Sequence, residues 1–164
     1  MFDDDTLPDA ELERAKSAWS AKGLHFDVTY CELLLALRHN DLQKAKALAS
    51  EFCGHRYLFI RNRLSAEEAE RFCVKLGGHL VTIISEKENE FLRRVAPNGV
   101  SCRIGLMVRD GKPQWVTGEN VEKNFVPPQT DFRPTDRIVT WKNGSWLPLA
   151  ARQDKPMPFI IEWD

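Results

Sequence analysis

The chain lacks net charge, long apolar runs and closely paired cysteines, and each lack removes a class of function. Its 23 Lys and Arg residues are set against 24 Asp and Glu, a formal charge of −1. The basic residues are scattered among acids rather than gathered in a run, so nucleic acid is not an expected ligand. An uncharged apolar stretch such as Leu33–Leu37 is far too short to span a bilayer. No membrane role is expected. The opening MFDDDTLPD has neither the basic flank nor the apolar stretch of a secretion signal. The expectation is a cytoplasmic protein, or a piece of a longer one. The four cysteines, Cys31, Cys53, Cys73 and Cys102, include no C-x-x-C and read as free buried thiols. Cys53, His55, Cys73 and His79 are residue types that ligate zinc, but neither pair has the usual ligand spacing, so no metal or cofactor is expected. Gly-x-Ser-x-Gly, a phosphate loop and a metal-binding histidine pair are all missing, which leaves little support for catalysis.

What is present is ample for a core, with 43% hydrophobic residues in 164. Residues 1–53 read as a helical segment. Thr6 or Asp9 can cap a first helix with Pro8 in its first turn, an apolar side of Ala10, Leu12, Ala15, Ala18 and Trp19, and Gly23 as stop. A second helix is predicted over 27–39, with Val28, Cys31, Leu34, Leu35 and Ala36 for burial. Asn40-Asp41 breaks it. Asp41 can then cap a third helix carrying Leu42, Ala45, Leu48, Ala49 and Phe52. Helices joined by so short a break should pack antiparallel. The segment YCELLLALRHNDLQKAKALA resembles one hairpin of a tetratricopeptide-type repeat, which buries too little to stand alone.

Residues 64–95 carry the densest signal. Ser65-x-x-Glu68 and Ser85-x-x-Glu88 are two capping boxes, with Leu64 and Ala69 at the staple positions of the first. Ala69, Phe72, Cys73 and Leu76 repeat at helical spacing until Gly77-Gly78. His79–Ile84 reads as a strand. Phe91, Leu92 and Val95 form the apolar face of the next helix. Tyr57–Ile60, Arg103–Val108, Gln114–Val116, Arg137–Trp141, Ser145–Leu149 and Met157–Trp163 read as further strands. Asp110-Gly111 and Lys142-Asn143-Gly144 are turn signals. Residues 118–136, rich in Pro, Asn, Gln and Asp, are predicted to form a long irregular loop, where function is suspected.

From about residue 54 to 164 this order resembles the C-type lectin-like domain. The matching residues are Ser65-x-x-Glu-Ala-x-x-Phe-Cys73, Gly77-Gly78-His-Leu-Val-x-Ile83, Ser85-x-x-Glu88-x-x-Phe-Leu92, Ile104-Gly105-Leu106, Gln114-Trp115-Val116-x-Gly118, Asn143-Gly144-Ser145-Trp146 and Phe159-Ile160-Ile161-Glu162. Arg103 stands where the family has a tryptophan. The resemblance implies an α+β fold of two helices, mixed antiparallel sheets and a long loop, with Trp115 and Trp146 in the core. It also implies what is missing. Members that grip sugars through calcium use Glu-Pro-Asn or Gln-Pro-Asp in the loop and Trp-Asn-Asp in the last hairpin. Here the corresponding stretches are Pro127-Pro128-Gln129 and Trp146-Leu147-Pro148. Pro128 could keep the cis turn, but an ion would lose most of its oxygen shell. Cys73 has lost its family partner, whose place is Ile161, and the second family disulfide would need cysteines near Ile138 and Ala151.

The expected function is non-catalytic, calcium-independent recognition of another protein or of a stretch of the same polypeptide. Carbohydrate binding is the alternative, and an enzyme of the formylglycine-generating type the second. The candidate contacts are Gln129, Asp131, Arg133, Asp136 and Trp141, with Asn124, Glu119, Glu122 and Arg137 as further members of a polar rim. Trp141 has no family core position and is offered as an aromatic anchor. His79 is expected to be a hydrogen-bonded structural histidine, and Trp163 a rim contact.

Overall fold

The computed structural model describes residues 8–39, 41–119, 121 and 125–164, excepting the side chain of residue 26. It divides into two compact units, residues 1–49 and 50–164. No helix among the described residues is long and apolar enough to cross a membrane.

The first unit holds α1 (Asp9–Ala21), α2 (His25–Arg38) and α3 (Leu42–Ala47). Leu12 of α1 packs with Tyr30, Cys31, Leu34 and Leu35 of α2, and Ala15 and Trp19 lean on the cluster. Ala10 and Ala18, expected on the same side, are exposed. Asp9 at the start of α1 meets Arg38 and His39 at the end of α2, each at 3.0 Å, which makes the two helices antiparallel. Both charges suit the helix dipoles they sit on. No side chain caps α1; Pro8 occupies the cap position, and Thr6 lies outside the described residues, as does Asn40. Asp41 caps α3 by accepting from the backbone N–H of Lys44.

Ser50–Phe52, read from the sequence as the end of the third helix, is instead strand β1, paired with β2 (His55–Leu64). Cys53 and Gly54 turn the chain between them with φ of 51° and 87°, a tight hairpin that ends the helical unit at residue 49. Phe52 stacks on Phe91 with ring centroids 4.7 Å apart, so its apolar face is covered within the second unit.

The second unit is one eight-stranded sheet flanked by two helices. Beyond β2 come α4 (Ala66–Lys75), β3 (His79–Leu80), α5 (Glu86–Val95), β4 (Cys102–Arg109), β5 (Lys112–Trp115), β6 (Asp136–Lys142), β7 (Ser145–Ala150) and β8 (Met157–Trp163). The order is β1-β2-β8-β4-β6-β7, with β3 on β8 and β5 on β4. β2 and β8 run antiparallel, so the two ends of this unit are joined by a ladder. The core gathers Val81, Ile83, Leu92, Leu106, Trp115 and Trp146, among others. Gly105 is required by closeness: a Cβ there would meet the Leu80 carbonyl oxygen at 2.6 Å.

The first capping box is complete, with Ser65 and Glu68 satisfying each other's backbone N–H. The second is half a box. Ser85 accepts from the Glu88 N–H, but the Glu88 carboxylate turns inward to take the Ile84 N–H at 2.8 Å and the Tyr57 hydroxyl at 2.6 Å. The strand expected over 79–84 is correspondingly short. Val81 still bonds Ile160, but the N–H groups of Thr82 and Ile84 go to the carboxylates of Glu162 and Glu88 instead of a ladder.

Candidate functional site

The long loop leaves β5 and re-enters the sheet at β6. No strand forms among the described residues 116–135. Its returning end is pinned: the Asp136 carboxylate accepts from the Arg133 N–H at 2.7 Å, and the Asp136 N–H donates to the Arg133 carbonyl. The Arg137 guanidinium donates to the carbonyls of Pro134 and Asp136. Gly111, in the β4–β5 turn, lies against the Arg133–Pro134 backbone. Pro128, Gln129, Asp131 and Arg133 are left exposed on this anchored loop. Gln129 sits at φ 71°, and the described residues include no cis peptide bond, so the cis turn considered for Pro128 is absent.

Two sequence candidates move. Asp136 is buried and holds the loop instead of facing a ligand. Trp141 is fully buried, and its indole N–H donates to Asn89 at 2.8 Å. β6 is covered on both faces from Ile138 to Trp141, and Trp141 pairs with Trp146 across the ladder, so it is part of the core and not a surface anchor. Trp163 is likewise no rim contact: it is buried and donates to the Leu76 carbonyl. Glu119 is exposed; Glu122 and Asn124 lie outside the described residues.

Among the described residues, calcium ligands do not assemble at this loop. Pro127 and Pro128 carry no side-chain oxygen, and on β7 Leu147 projects into solvent, 60% exposed, beside Pro148. Among the described residues, no three His, Cys, Asp or Glu ligand atoms of the loop and the last hairpin converge. The residues there do not fit a calcium ion.

Arg103, in the place of the family tryptophan, is buried and bonded on every side. It donates to the Leu64 carbonyl at 2.9 Å, to the Lys155 carbonyl at 2.7 Å and to the Asp154 carboxylate. It ties β4 to the segment that leads into β8.

A second cleft, of about 550 Å³, opens between β2, β3, β8, the start of α5 and the outgoing end of the loop at Thr117 and Glu119. His55, Tyr57, His79, Thr82, Glu162 and Asp164 line it. Burial pushes the Glu162 carboxyl up against the N–H of Thr82, which favours the charged form. Burial also works to lower His79, but the Leu80 carbonyl, Glu162 and Asp164 together outweigh it and raise its pKa. The Tyr57 hydroxyl is raised by burial and by the bond to Glu88. His79 is hydrogen-bonded, as expected. The cleft itself was not read from the sequence, because its members come from four separate elements.

The family model described as the Lectin C-type domain matches residues 62–156. The chain belongs to the C-type lectin family. Snaclec bitiscetin subunit alpha from Bitis arietans is 28% identical over 122 residues, which covers 69% of this chain and 90% of that protein. C-type lectin domain family 4 member F from Rattus norvegicus is 41% identical over 69 residues, 41% of this chain but 12% of the rat protein. The C-type lectin domain here thus spans a small part of several of its relatives. Among solved structures, the mouse scavenger receptor C-type lectin carbohydrate-recognition domain superposes with a TM-score of 0.58 at 24% identity, covering 71% of this chain and 95% of that one. A calcium-independent type II antifreeze protein gives 0.60 at 18%, covering 70% and 90%. These place the fold of the lectin unit.

Proposed function

We propose that residues 50–164 are a non-catalytic recognition module that works without calcium at its long loop and takes protein as its ligand. The observation that carries this reading is the chemistry of the loop and last hairpin. Pro127, Leu147 and Pro148 stand where a sugar-binding member would present carboxylates and amides. The exposed surface that remains, Pro128, Gln129, Asp131, Arg133 and the projecting Leu147, mixes apolar contact with both charge signs. That mixture suits a protein face better than a sugar ring. The anchored returning end of the loop keeps this surface preorganised, which lowers the entropy lost on binding. Cys31, Cys73 and Cys102 form no disulfide, which supports a reducing compartment, the cytoplasm in our reading.

The test compares the full chain with a Gln129→Ala/Asp131→Ala/Arg133→Ala variant in two assays. Immobilised protein captures a partner that is identified by mass spectrometry, and labelled protein is applied to a glycan array with calcium and with chelator. The proposal expects a captured protein that the chelator leaves bound and the triple variant loses. Calcium-dependent glycan signal would favour carbohydrate binding instead.

A further inference from the structure

We propose that the cleft between β2, β3 and β8 is a zinc site, with His55, Glu162 and Asp164 as ligands and His79 as the fourth. Its ligands lie outside the loop, although Thr117 and Glu119 of the loop edge the cleft, and the proposal does not depend on what the loop's exposed face binds.

Three of the four ligand atoms are already assembled. His55 Nδ1 lies 2.9 Å from Glu162 Oε1 and 3.2 Å from Asp164 Oδ1, and that oxygen lies 3.4 Å from His79 Nε2. The first three residues bring their ligand atoms within 4.8 Å of one another. With metal–ligand bonds of about 2.0–2.1 Å, the ligand atoms of a tetrahedral zinc site sit about 3.3 Å apart. The three short separations match edges of such a tetrahedron, while His79 lies outside the 4.8 Å group and would turn toward the ion to complete it.

The hydrogen bonds around these atoms leave the correct lone pairs facing inward. Both the N–H and the hydroxyl of Thr82 donate to Glu162 Oε2, at 2.8 and 3.1 Å, which fixes that carboxylate and leaves Oε1 toward His55. His79 Nδ1 lies 2.9 Å from the Leu80 carbonyl oxygen and Nε2 lies 3.4 Å from Asp164 Oδ1; both partners accept, so Nδ1 keeps its proton and a metal would take the place of the Nε2 proton that Asp164 accepts. His55 Nδ1 is a buried atom with no aligned hydrogen bond, although two carboxylate oxygens lie near it. An imidazole nitrogen without a partner beside two carboxylate oxygens is a place that a cation can fill. A carbonyl behind one histidine and a threonine behind the glutamate are the outer supports that metal sites use. Of the other carboxylates that line the cleft, Glu88 is spent on Tyr57 and Ile84, and Glu119 is exposed.

The donor set selects the ion. Two imidazoles with two carboxylates suit zinc and its late first-row neighbours, whereas calcium and magnesium require mostly oxygen. A zinc ion here would join the start of β2 to β3 and to the end of β8 and the residue after it.

The experiment uses the full chain, stripped of metal, titrated with zinc in competition with a chromophoric chelator. The expected result is one zinc per chain, weakened at least about tenfold by His55→Gln and by His79→Gln. His25→Gln and Cys53→Ser should leave it unchanged. Melting without zinc reports whether each variant folds. X-ray absorption at the zinc edge of the wild-type complex gives a reading independent of any variant, and it should show nitrogen and oxygen neighbours with imidazole scattering. Absence of stoichiometric binding, sulfur in the first shell, or equal affinity in folded His55→Gln would overturn the proposal.

Discussion

Replacing Asn89 by leucine should be among the most damaging single changes in the lectin unit. The side chain fits the same volume but removes three hydrogen bonds at once. Asn89 Nδ2 donates to the Gly144 carbonyl at 2.8 Å, while Oδ1 accepts from Trp141 at 2.8 Å and from Trp146 at 3.1 Å. All three side chains are buried. The substitution leaves two indole N–H groups and one carbonyl without partners. Each such orphan costs about 1–3 kcal/mol. Trp146 and the Gly144 turn lie close enough to the surface to regain some water, so the expected loss is about 3–5 kcal/mol. That is a large share of the ~5–15 kcal/mol that holds a typical domain. Urea unfolding followed by tryptophan fluorescence measures it, in a Trp19→Phe background so that the signal comes from residues 50–164. With a slope of about 1.5 kcal/mol/M, the midpoint should fall by about 2–3 M. Asn89→Asp should fall between, since it keeps the acceptor for both indoles but sets a carboxylate against the Gly144 carbonyl. A midpoint within about 0.5 M of wild type for Asn89→Leu would refute the view that Trp141 is held in the core by this asparagine.

Other outcomes follow from the same packing. Asp154→Ala leaves the Arg103 guanidinium buried without its counter-charge and should cost about 3–5 kcal/mol in the same unfolding assay. Gly105→Ala drives a Cβ into the Leu80 carbonyl and the Val116 side chain; backbone cannot yield cheaply there, and a loss of about 1–3 kcal/mol is expected. Toward a thiol reagent near pH 8, Cys53 should react first because it is exposed, while burial pushes the Cys102 thiol up to about 12 and raises Cys73 further. Mass spectrometry of partly labelled native protein should find the adduct on Cys53, with the buried thiols labelled after unfolding.

Local signals were readable in the sequence where chemistry is local. Ser65 and Glu68 form their box because both partners lie within one turn of helix. Asp110-Gly111 and Asn143-Gly144 turn with positive φ at both residues, as such pairs allow. The closing strand runs over the predicted residues, Met157–Trp163. Readings failed where a distant partner decided. Glu88 left its box because Tyr57, 31 residues away, offered a buried hydroxyl. Phe52 joined a strand because Phe91 covers it. Trp141 was mistaken for a surface anchor because its partner Asn89 lies 52 residues away. The cleft of His55, His79, Glu162 and Asp164 had no sequence spacing to announce it, since β8 brings the last two beside β2 and β3 only in the folded sheet.

The central claim is that the loop surface recognises its ligand without calcium. Residue-resolved NMR of isotope-labelled protein during calcium titration addresses it most directly, because it reads the loop and the histidine cleft separately. The account predicts that the amides of Gln129, Asp131, Arg133 and Leu147 stay in place into the millimolar range. A saturable shift of these amides, with the ~0.1–1 mM affinity of extracellular calcium modules or tighter, would contradict it.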